Sequence, residues 1–303
     1  MLESEKDFEI KNLTSFKIGG TVSNVYFPET INEFVQIMKS LDKYLILGNC
    51  SNVLISSDGY DGNIILTTKM NNYSVNGTAV SADCGVKGPM LSKIAAENSL
   101  SGFEFMTGFP GSVGGEVYMN ASAHGQSISD ILKRCCVFNK LTKEIEYKEN
   151  CDMEFGYRKS NLQTNGCVLL SAEFELKKGE KDAIQELMSR NLESRKAFQP
   201  SLANPNAGSV FKNPKNDSAG RLLDKAGVKA LVCNDAAVWE KHANFIVNKG
   251  GATSEDVLNL MVQMRNLVKK EFTIELEPEV IYIGNRNQKE VELCKMLYKK
   301  IQK

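Results

Sequence analysis

Four polar side chains in this sequence are of types that suit acid–base or electrostatic chemistry. Arg158 stands in FGYRKS, and arginine stabilises a carboxylate or oxyanion because its guanidinium presents a fixed fork of donors. Ser209 lies in a Gly-Ser turn, where a hydroxyl can donate a proton. Glu277 and Glu279 share one face of the strand-like LEPEV, where burial or a neighbouring carboxylate raises a pKa. Each residue also suits an ordinary turn or surface position, so both interpretations stay open.

Two glycine-containing stretches predict a close approach of a ligand to the backbone. They are LGNCSNVL at 47–54 and GFPGSVGG at 108–115, the second continuing into EVYMNASAHG. Closely spaced N–H groups in such turns bind phosphate oxygens, and glycine leaves room because it lacks a Cβ atom. The composition of 108–125 predicts no ordinary helix or strand. Neither stretch matches GxGxxG or the P-loop, and two tight turns packed on a sheet remain the alternative.

Histidine and cysteine chemistry is disfavoured. His124 and His242 are the only histidines, no GxSxG elbow accompanies them, and two histidines make a zinc site a poor prediction. His242 is interpreted as structural, and His124 as a bystander. The eight cysteines are scattered without a CxxC pair, so we expect free, mostly buried thiols.

Bulk composition is that of an ordinary globular protein. Lys+Arg and Asp+Glu are balanced at 37 each in 303 residues, which gives no global attraction to nucleic acid or to an anionic membrane. No run approaches a membrane span, and the charged start lacks an apolar signal core. These features leave the cytoplasm as the expected location, and any anionic ligand must be held by a local arrangement.

Apolar periodicity predicts an α+β chain around these residues. Helices are expected at 31–41, 89–100, 181–198 and about 217–226, with a long one opening at ATSEDV, where Thr253 and Asp256 have capping-box spacing. Strands are expected in YLILG, VLIS, RCCVFN, EIEYK, CVLLSAEFEL, NFIVN and FTIELEPEVIYIG, with a hairpin at Asn76-Gly77. The predicted domains are 1–180 and 195–285, followed by an amphipathic helical extension at 286–303.

The order of the motifs is more specific than any one of them. The chain resembles the UDP-N-acetylenolpyruvoylglucosamine reductase (MurB) family, in its shorter type II form, over about residues 12–284. The resemblance rests on these segments: TSFKIGG, ILGNCSNVLI, GFPGSVGGEVYMNASAHG, FGYRKS, QPSLANPNAGSVFKNP, EKHANFIVN and LEPEV.

This resemblance implies a fold and a reaction. The fold would be an FAD-binding domain of the vanillyl-alcohol-oxidase (PCMH) type with two α+β subdomains, plus a C-terminal α+β substrate domain. Non-covalent FAD would take a hydride from NADPH, which then leaves. Flavin N5 would pass the hydride to C3 of the enolpyruvyl ether of UDP-N-acetylglucosamine, forming UDP-N-acetylmuramate for peptidoglycan and thus for cell shape and division. A monomer is expected.

The resemblance also implies residue roles. Arg158 would stabilise the enolate, Ser209 would protonate C2, and Glu279 would hydrogen-bond the substrate carboxylate. Substrate contacts are expected from Tyr157, Gln199, Lys212 and Asn213. Cofactor contacts are expected from Gly48, Asn49, Cys50, Ser51, Asn52, Gly108, Pro110, Gly111, Ser112, Gly114, Gly115, Asn120, Ala121 and Gly125. No metal is expected.

Several positions depart from the family pattern. Cys50 replaces a usual glycine, Asn206 a usual serine, and Trp239 makes the packing before KHANF uncertain. In the tail, Val291, Cys294, Leu297, Tyr298 and Ile301 share a helical face, which predicts packing on the body or, alternatively, on a partner. A different flavin oxidase and an inactive flavin-binding protein are the competing readings of the whole chain.

Overall fold

The computed structural model describes residues 3–201 and 203–298. The helices of this part are α1 (Ile31–Ser40), α2 (Gly88–Glu97), α3 (Val113–Tyr118), α4 (Lys181–Phe198), α5 (Ala219–Lys225), α6 (Ser254–Phe272) and α7 (Gln288–Leu297). Its strands are β1 (Glu5–Glu9), β2 (Thr21–Tyr26), β3 (Leu45–Leu47), β4 (Val53–Ile55), β5 (Tyr60–Leu66), β6 (Tyr73–Asn76), β7 (Ala79–Asp83), β8 (Leu100–Ser101), β9 (Ser122–Ala123), β10 (Gln126–Ser127), β11 (Leu132–Asn139), β12 (Ile145–Glu149), β13 (Cys167–Glu175), β14 (Lys177–Lys178), β15 (Val232–Cys233), β16 (Ala236–Val238), β17 (Ile246–Asn248) and β18 (Ile281–Ile283).

These elements form two compact units that interleave along the chain. The first comprises residues 1–5, 25–49 and 63–195, and the second 6–24, 50–62 and 196–303. The sequence-based division at 1–180, 195–285 and 286–303 has no such interleaving. The difference arises because β4 pairs in parallel with β18, a contact between distant parts of the sequence.

The first unit is built on a five-stranded antiparallel sheet with the order β12-β11-β13-β7-β6. Its β6–β7 hairpin turns at Gly77, whose φ of +63° is accessible to glycine, as the Asn-Gly signal predicts. Phe103 and Phe174 pack edge to face in the core, with centroids 5.1 Å apart. Burying one such ring contributes about 1.5–3 kcal/mol.

In the second unit, α6 packs against a three-stranded sheet with the order β15-β16-β17, and α7 packs against α6. The predicted capping box of α6 is confirmed, since Thr253 and Asp256 exchange side-chain and backbone hydrogen bonds. In α7, Cys294 and Leu297 are buried in the core of this unit. The tail up to residue 298 therefore packs on its own unit, and Ile301 lies outside the described residues.

One prediction about the glycine-rich stretch is wrong. Residues Val113–Tyr118 form the helix α3, although their composition predicts no ordinary helix. The helix is only six residues long, and Val113 and Val117 anchor it in the core. Tertiary packing of two valines one turn apart outweighs the low helix propensity of Gly114 and Gly115.

Across residues 3–201 and 203–298, no helix has the length and apolar content needed to cross a lipid bilayer.

Candidate active site

The two predicted glycine turns meet within the first unit. A Cβ atom added to Gly48 would lie 2.1 Å from the hydroxyl oxygen of Ser112, and the Asn49 amide donates to the carbonyl of Pro110. Ser112 is buried, and its hydroxyl has no partner among the described residues. A buried hydroxyl without a partner is costly unless a ligand supplies one.

Backbone donors in this loop are also unpaired. Val113 N–H and Gly114 N–H bond to the carbonyls of Val86 and Cys84, at 2.9 and 2.8 Å. The N–H groups of the three neighbouring positions have no acceptor among residues 3–201 and 203–298; they belong to Gly111, Ser112 and Gly115. This donor set, with the Ser112 hydroxyl beside it, fits the oxygens of a dinucleotide diphosphate such as that of FAD.

The loop glycines do not all face open space. A Cβ atom on Gly108 would lie 2.4 Å from Cδ of Arg195, and one on Gly114 would lie 3.1 Å from the carbonyl oxygen of Cys84. Only at Gly115 in this loop would a Cβ atom meet nothing described within 4 Å. Most of these glycines therefore allow other parts of the protein to approach the loop closely, whereas the sequence predicts that they allow a ligand to do so.

Glu116 follows the loop as a buried acid that the sequence analysis missed. Its Oε1 would lie 2.3 Å from a Cβ on Gly88 and 3.1 Å from one on Gly111, and neither of its oxygens has a partner among the described residues. Burial raises its pKa to about 8. Its carboxyl is therefore predominantly neutral at pH 7 and adds no negative charge beside the loop.

Arg195 is a second missed residue. Its guanidinium lies 5.8 Å from the ring centroid of Phe109, and burial lowers its pKa. The contact joins the last turns of α4 to the loop. Because these segments are far apart in the sequence, no local pattern reveals it.

The first turn continues through Cys50, Ser51 and Asn52 into the second unit. Cys50 has φ of +48°, a left-handed conformation that glycine adopts without strain. A cysteine at this position therefore carries a local energetic cost that the family's usual glycine would not. Burial raises the pKa of its thiol to about 12, which makes it unreactive. Asn52 donates its amide to the Glu279 carbonyl at 3.0 Å.

Arg158 sits at a strained position in the first unit. Its φ is +55°, inside a tight turn closed by two hydrogen bonds between Gly156 and Lys159 at 3.0 and 3.1 Å. The guanidinium lies 5.1 Å from the ring centroid of the exposed Tyr157 and donates to the Ser122 hydroxyl at 2.9 Å. A non-glycine residue held in this conformation is a feature that recurs at functional sites.

Ser209 and Glu279 are brought together in the second unit. Glu279 N–H donates to the carbonyl of Val210 at 2.8 Å, which places the acid beside the residue that follows the serine. On its other side the 209–211 segment is held by Asn244, whose buried amide accepts from Phe211 N–H at 3.0 Å and donates to the Phe211 carbonyl at 2.8 Å. Backbone hydrogen bonds therefore hold Glu279 and the residues that directly follow Ser209.

The segment around LEPEV is less regular than predicted. Only Ile281–Ile283 forms a strand, and 277–279 makes isolated bonds to the 210–212 segment. Glu277 and Glu279 do share a face, because the residues between and around them are buried. Glu277 forms an ion pair with Lys212 at 2.7 Å.

The remaining predicted residues have these positions. Asn213 is exposed and accepts from Ala219 N–H at 2.9 Å, at the start of α5, while Gln199 is half-buried. Asn206 accepts from Gly208 N–H at 2.9 Å, which shapes the turn before Ser209. Trp239 donates its indole N–H to the Phe198 carbonyl at 3.2 Å.

The residues after α3 have structural contacts in the first unit. Asn120 donates to the Gly156 carbonyl and accepts from Ser129 N–H, and Ala121 N–H bonds to the Glu116 carbonyl. His124 and Gly125 form the turn between β9 and β10, both with positive φ.

In the second unit, His242 is half-buried and packs edge to face on Phe245, as expected of a structural histidine.

The cysteines are free thiols, as predicted. Within residues 3–201 and 203–298, no group of three or more His, Cys, Asp or Glu side chains is arranged to hold a metal ion.

Comparison with known proteins agrees with this geometry. Residues 22–142 match the family described as FAD binding domain, so the chain is an FAD-binding flavoprotein of mixed α+β structure. Residues 199–283 match the family described as UDP-N-acetylenolpyruvoylglucosamine reductase, C-terminal domain.

Whole-chain relatives define the family. The UDP-N-acetylenolpyruvoylglucosamine reductase of Caldicellulosiruptor bescii is 40% identical, with 93% of this chain and 91% of the relative covered. That of Latilactobacillus sakei is 39% identical, with 92% and 93% covered. The crystal structure of UDP-N-acetylenolpyruvylglucosamine reductase (MurB) from Thermus caldophilus superposes with a TM-score of 0.81 at 32% identity, over 94% of this chain and 100% of that one. The chain belongs to the UDP-N-acetylenolpyruvoylglucosamine reductase family, whose members are oxidoreductases of peptidoglycan synthesis.

Proposed function

We propose that this protein reduces the enolpyruvyl ether of UDP-N-acetylglucosamine to UDP-N-acetylmuramate, with NADPH as the electron donor. The observation that carries the proposal is the backbone hydrogen bond from Glu279 to Val210, which brings the acid next to the Ser209 turn, in a chain that also holds Arg158 in a strained turn. Family membership supports the reaction class, and the unpaired loop donors support the cofactor.

FAD, when bound, supplies the hydride that is added to C3 of the substrate. The loop 108–115 and the Gly48 turn would hold its diphosphate through backbone N–H groups and the Ser112 hydroxyl. Because the buried Glu116 carboxyl is protonated at pH 7, it does not repel the negative charge of the diphosphate.

Three side chains would act on the substrate. Arg158 stabilises the negative charge that develops on the enolate and carboxylate during hydride addition, because its fork of donors matches both oxygens. Ser209 donates the proton to C2, and Glu279 hydrogen-bonds the carboxylate. Lys212 would contact the substrate diphosphate. Its ammonium group is 2.7 Å from a carboxylate oxygen of Glu277, so this ion pair partly neutralises the positive charge that Lys212 offers to the diphosphate.

The experiment follows the two half-reactions of the purified protein. We expect a yellow protein whose flavin is bleached by NADPH without oxygen and recovers its colour on addition of the enolpyruvyl sugar nucleotide. Matched controls are NADH and UDP-N-acetylglucosamine, which lacks the enolpyruvyl group. Reduction without substrate-dependent recovery contradicts the proposal and favours an inactive flavoprotein; recovery with oxygen alone favours an oxidase.

We also propose that the protein is a cytoplasmic monomer. The balance of 37 basic and 37 acidic residues gives no global attraction to an anionic membrane, which supports the proposed location. Light scattering at several protein concentrations tests the monomer, and a concentration-dependent mass contradicts it. Fractionation of cells into cytosol and membranes tests the location, and recovery of the protein in the membrane fraction contradicts it.

A further inference from the structure

The Arg158 turn is fixed by side chains that the proposed reaction does not use. Gln163 donates its amide to the Arg158 carbonyl at 3.1 Å and to the Tyr118 carbonyl at 2.9 Å. Asn120 donates to the Gly156 carbonyl at 3.1 Å, and the buried Ser160 donates to the Tyr118 carbonyl at 2.7 Å. These bonds tie the turn to Tyr118, the last residue of α3, and to Asn120 just after it, and they compensate for the strain of a positive φ.

The guanidinium itself is oriented by a separate element. Ser122 lies in β9, which pairs with β10 so that Ser122 is opposite Ser127. The two-residue turn between the strands has φ of +52° at His124 and +79° at Gly125, the signs that a type I′ hairpin turn requires. This short hairpin presents the Ser122 hydroxyl to Nη1 of Arg158 at 2.9 Å.

We propose that Ser122 is a positioning residue that holds the Arg158 guanidinium in the orientation needed for the substrate carboxylate and enolate. The inference rests on the proposed function of Arg158. The Tyr157 ring restrains one face of the guanidinium, and the Ser122 hydroxyl fixes its rotation in the plane of that face. Loss of a hydrogen bond at its end widens the range of rotamers that a long side chain samples, and small misplacement of an electrostatic group strongly slows a reaction.

The test compares the two half-reactions of the holoprotein by stopped flow. In Ser122→Ala, flavin reduction by NADPH is expected to be unchanged and reoxidation by the enolpyruvyl sugar nucleotide about 10-fold slower, equivalent to about 1.4 kcal/mol, because the guanidinium loses one hydrogen bond that orients it. Ser122→Thr keeps the hydroxyl on a strand-compatible side chain and should restore the rate. Ser127→Ala is the matched control on the opposite strand, because its hydroxyl bonds to Asp130 and Ser129.

Binding provides a readout that does not depend on turnover. Ser122→Ala should weaken binding of UDP-N-acetylmuramate, which carries the carboxylate, and leave binding of UDP-N-acetylglucosamine unchanged. Equal weakening of both ligands, or an equal rate loss in Ser127→Ala, would show that the hairpin only stabilises the fold, and would overturn the inference.

Arg158→Gln separates this inference from the proposed function. If Arg158→Gln leaves reoxidation unchanged, the proposed role of Arg158 fails. If it slows reoxidation and Ser122→Ala does not, the positioning role alone fails. The double variant should be no slower than Arg158→Gln, because Ser122 acts through the arginine; an additive loss contradicts the inference.

Discussion

The two regions that carry the proposed chemistry differ in how their polar groups are satisfied. In the first unit, the loop 108–116 leaves the Ser112 hydroxyl and both Glu116 oxygens without partners among the described residues. In the second unit, the segment around Ser209 and its neighbour at Glu279 is bonded on both sides of its backbone. The first region is arranged to donate hydrogen bonds to a ligand, and the second is a hydrogen-bonded platform for a proton donor.

The largest expected effect concerns the buried acid of the first region. The folded protein holds the Glu116 proton up to a pKa of about 8, whereas an unfolded glutamic acid loses it near the ordinary value of 4.5. Stability associated with Glu116 is therefore full below pH 4.5 and is lost as pH rises toward 8, by about 1.4 kcal/mol per pH unit. Urea unfolding of Glu116→Gln should lose this component of the pH dependence.

The control for that experiment is Glu97→Gln, which removes an exposed acid that pairs with Lys93 at 3.9 Å. It should keep the wild-type pH profile. If Glu116→Gln also keeps that profile, the buried acid is not the titrating group.

The next effect concerns the platform of the second region. Asn244→Ala removes two bonds to Phe211 and leaves its buried N–H and carbonyl unpaired, which should destabilise the protein by about 3 kcal/mol. We expect a lower urea midpoint and slower flavin reoxidation in the folded fraction. A free energy of unfolding within about 0.5 kcal/mol of wild type would show that these bonds do not hold the platform rigidly.

Open space in the first region gives a smaller effect. Gly115→Ala adds a Cβ that meets no described atom within 4 Å, so the FAD-free protein should be as stable as wild type or slightly more stable. FAD affinity should fall about 10-fold, equivalent to about 1.4 kcal/mol, because the methyl group occupies cofactor space. Fluorescence titration of FAD measures this, and unchanged affinity would place the cofactor elsewhere.

Cys50 gives the smallest expected effect. Cys50→Gly and Cys50→Ala both remove the buried sulfur, but only alanine retains strain at φ of +48°. The glycine variant should be more stable than the alanine variant by about 1 kcal/mol in urea unfolding. Equal stabilities would mean that the turn relaxes without strain.

Local sequence patterns predicted most elements but not the contacts between them. α4 spans Lys181–Phe198 as its periodicity predicts, and the Asn76-Gly77 hairpin has the expected turn. These succeed because capping, turn and period signals act over a few residues. The helix α3 was missed because core packing of its valines, and not local propensity, stabilises it.

The site shows the same limit. Arg158, Ser209 and Glu279 were chosen from motif order, and the adjacency of Ser209 and Glu279 appears only in the structure. Ser122 bonds to a residue 36 positions away, and Arg195 packs on a loop more than 80 residues earlier. Such pairings depend on topology, which no spacing within one motif encodes.

The half-reactions of Ser209→Ala test the central claim most directly. If Ser209 is the proton donor on a rigid platform, NADPH should reduce the flavin of this variant at nearly the wild-type rate. Reoxidation by the enolpyruvyl sugar nucleotide should be slower by about 10²–10³, the loss that follows removal of one donor to a transition state. Equal loss in both half-reactions, or unchanged reoxidation, would contradict the account.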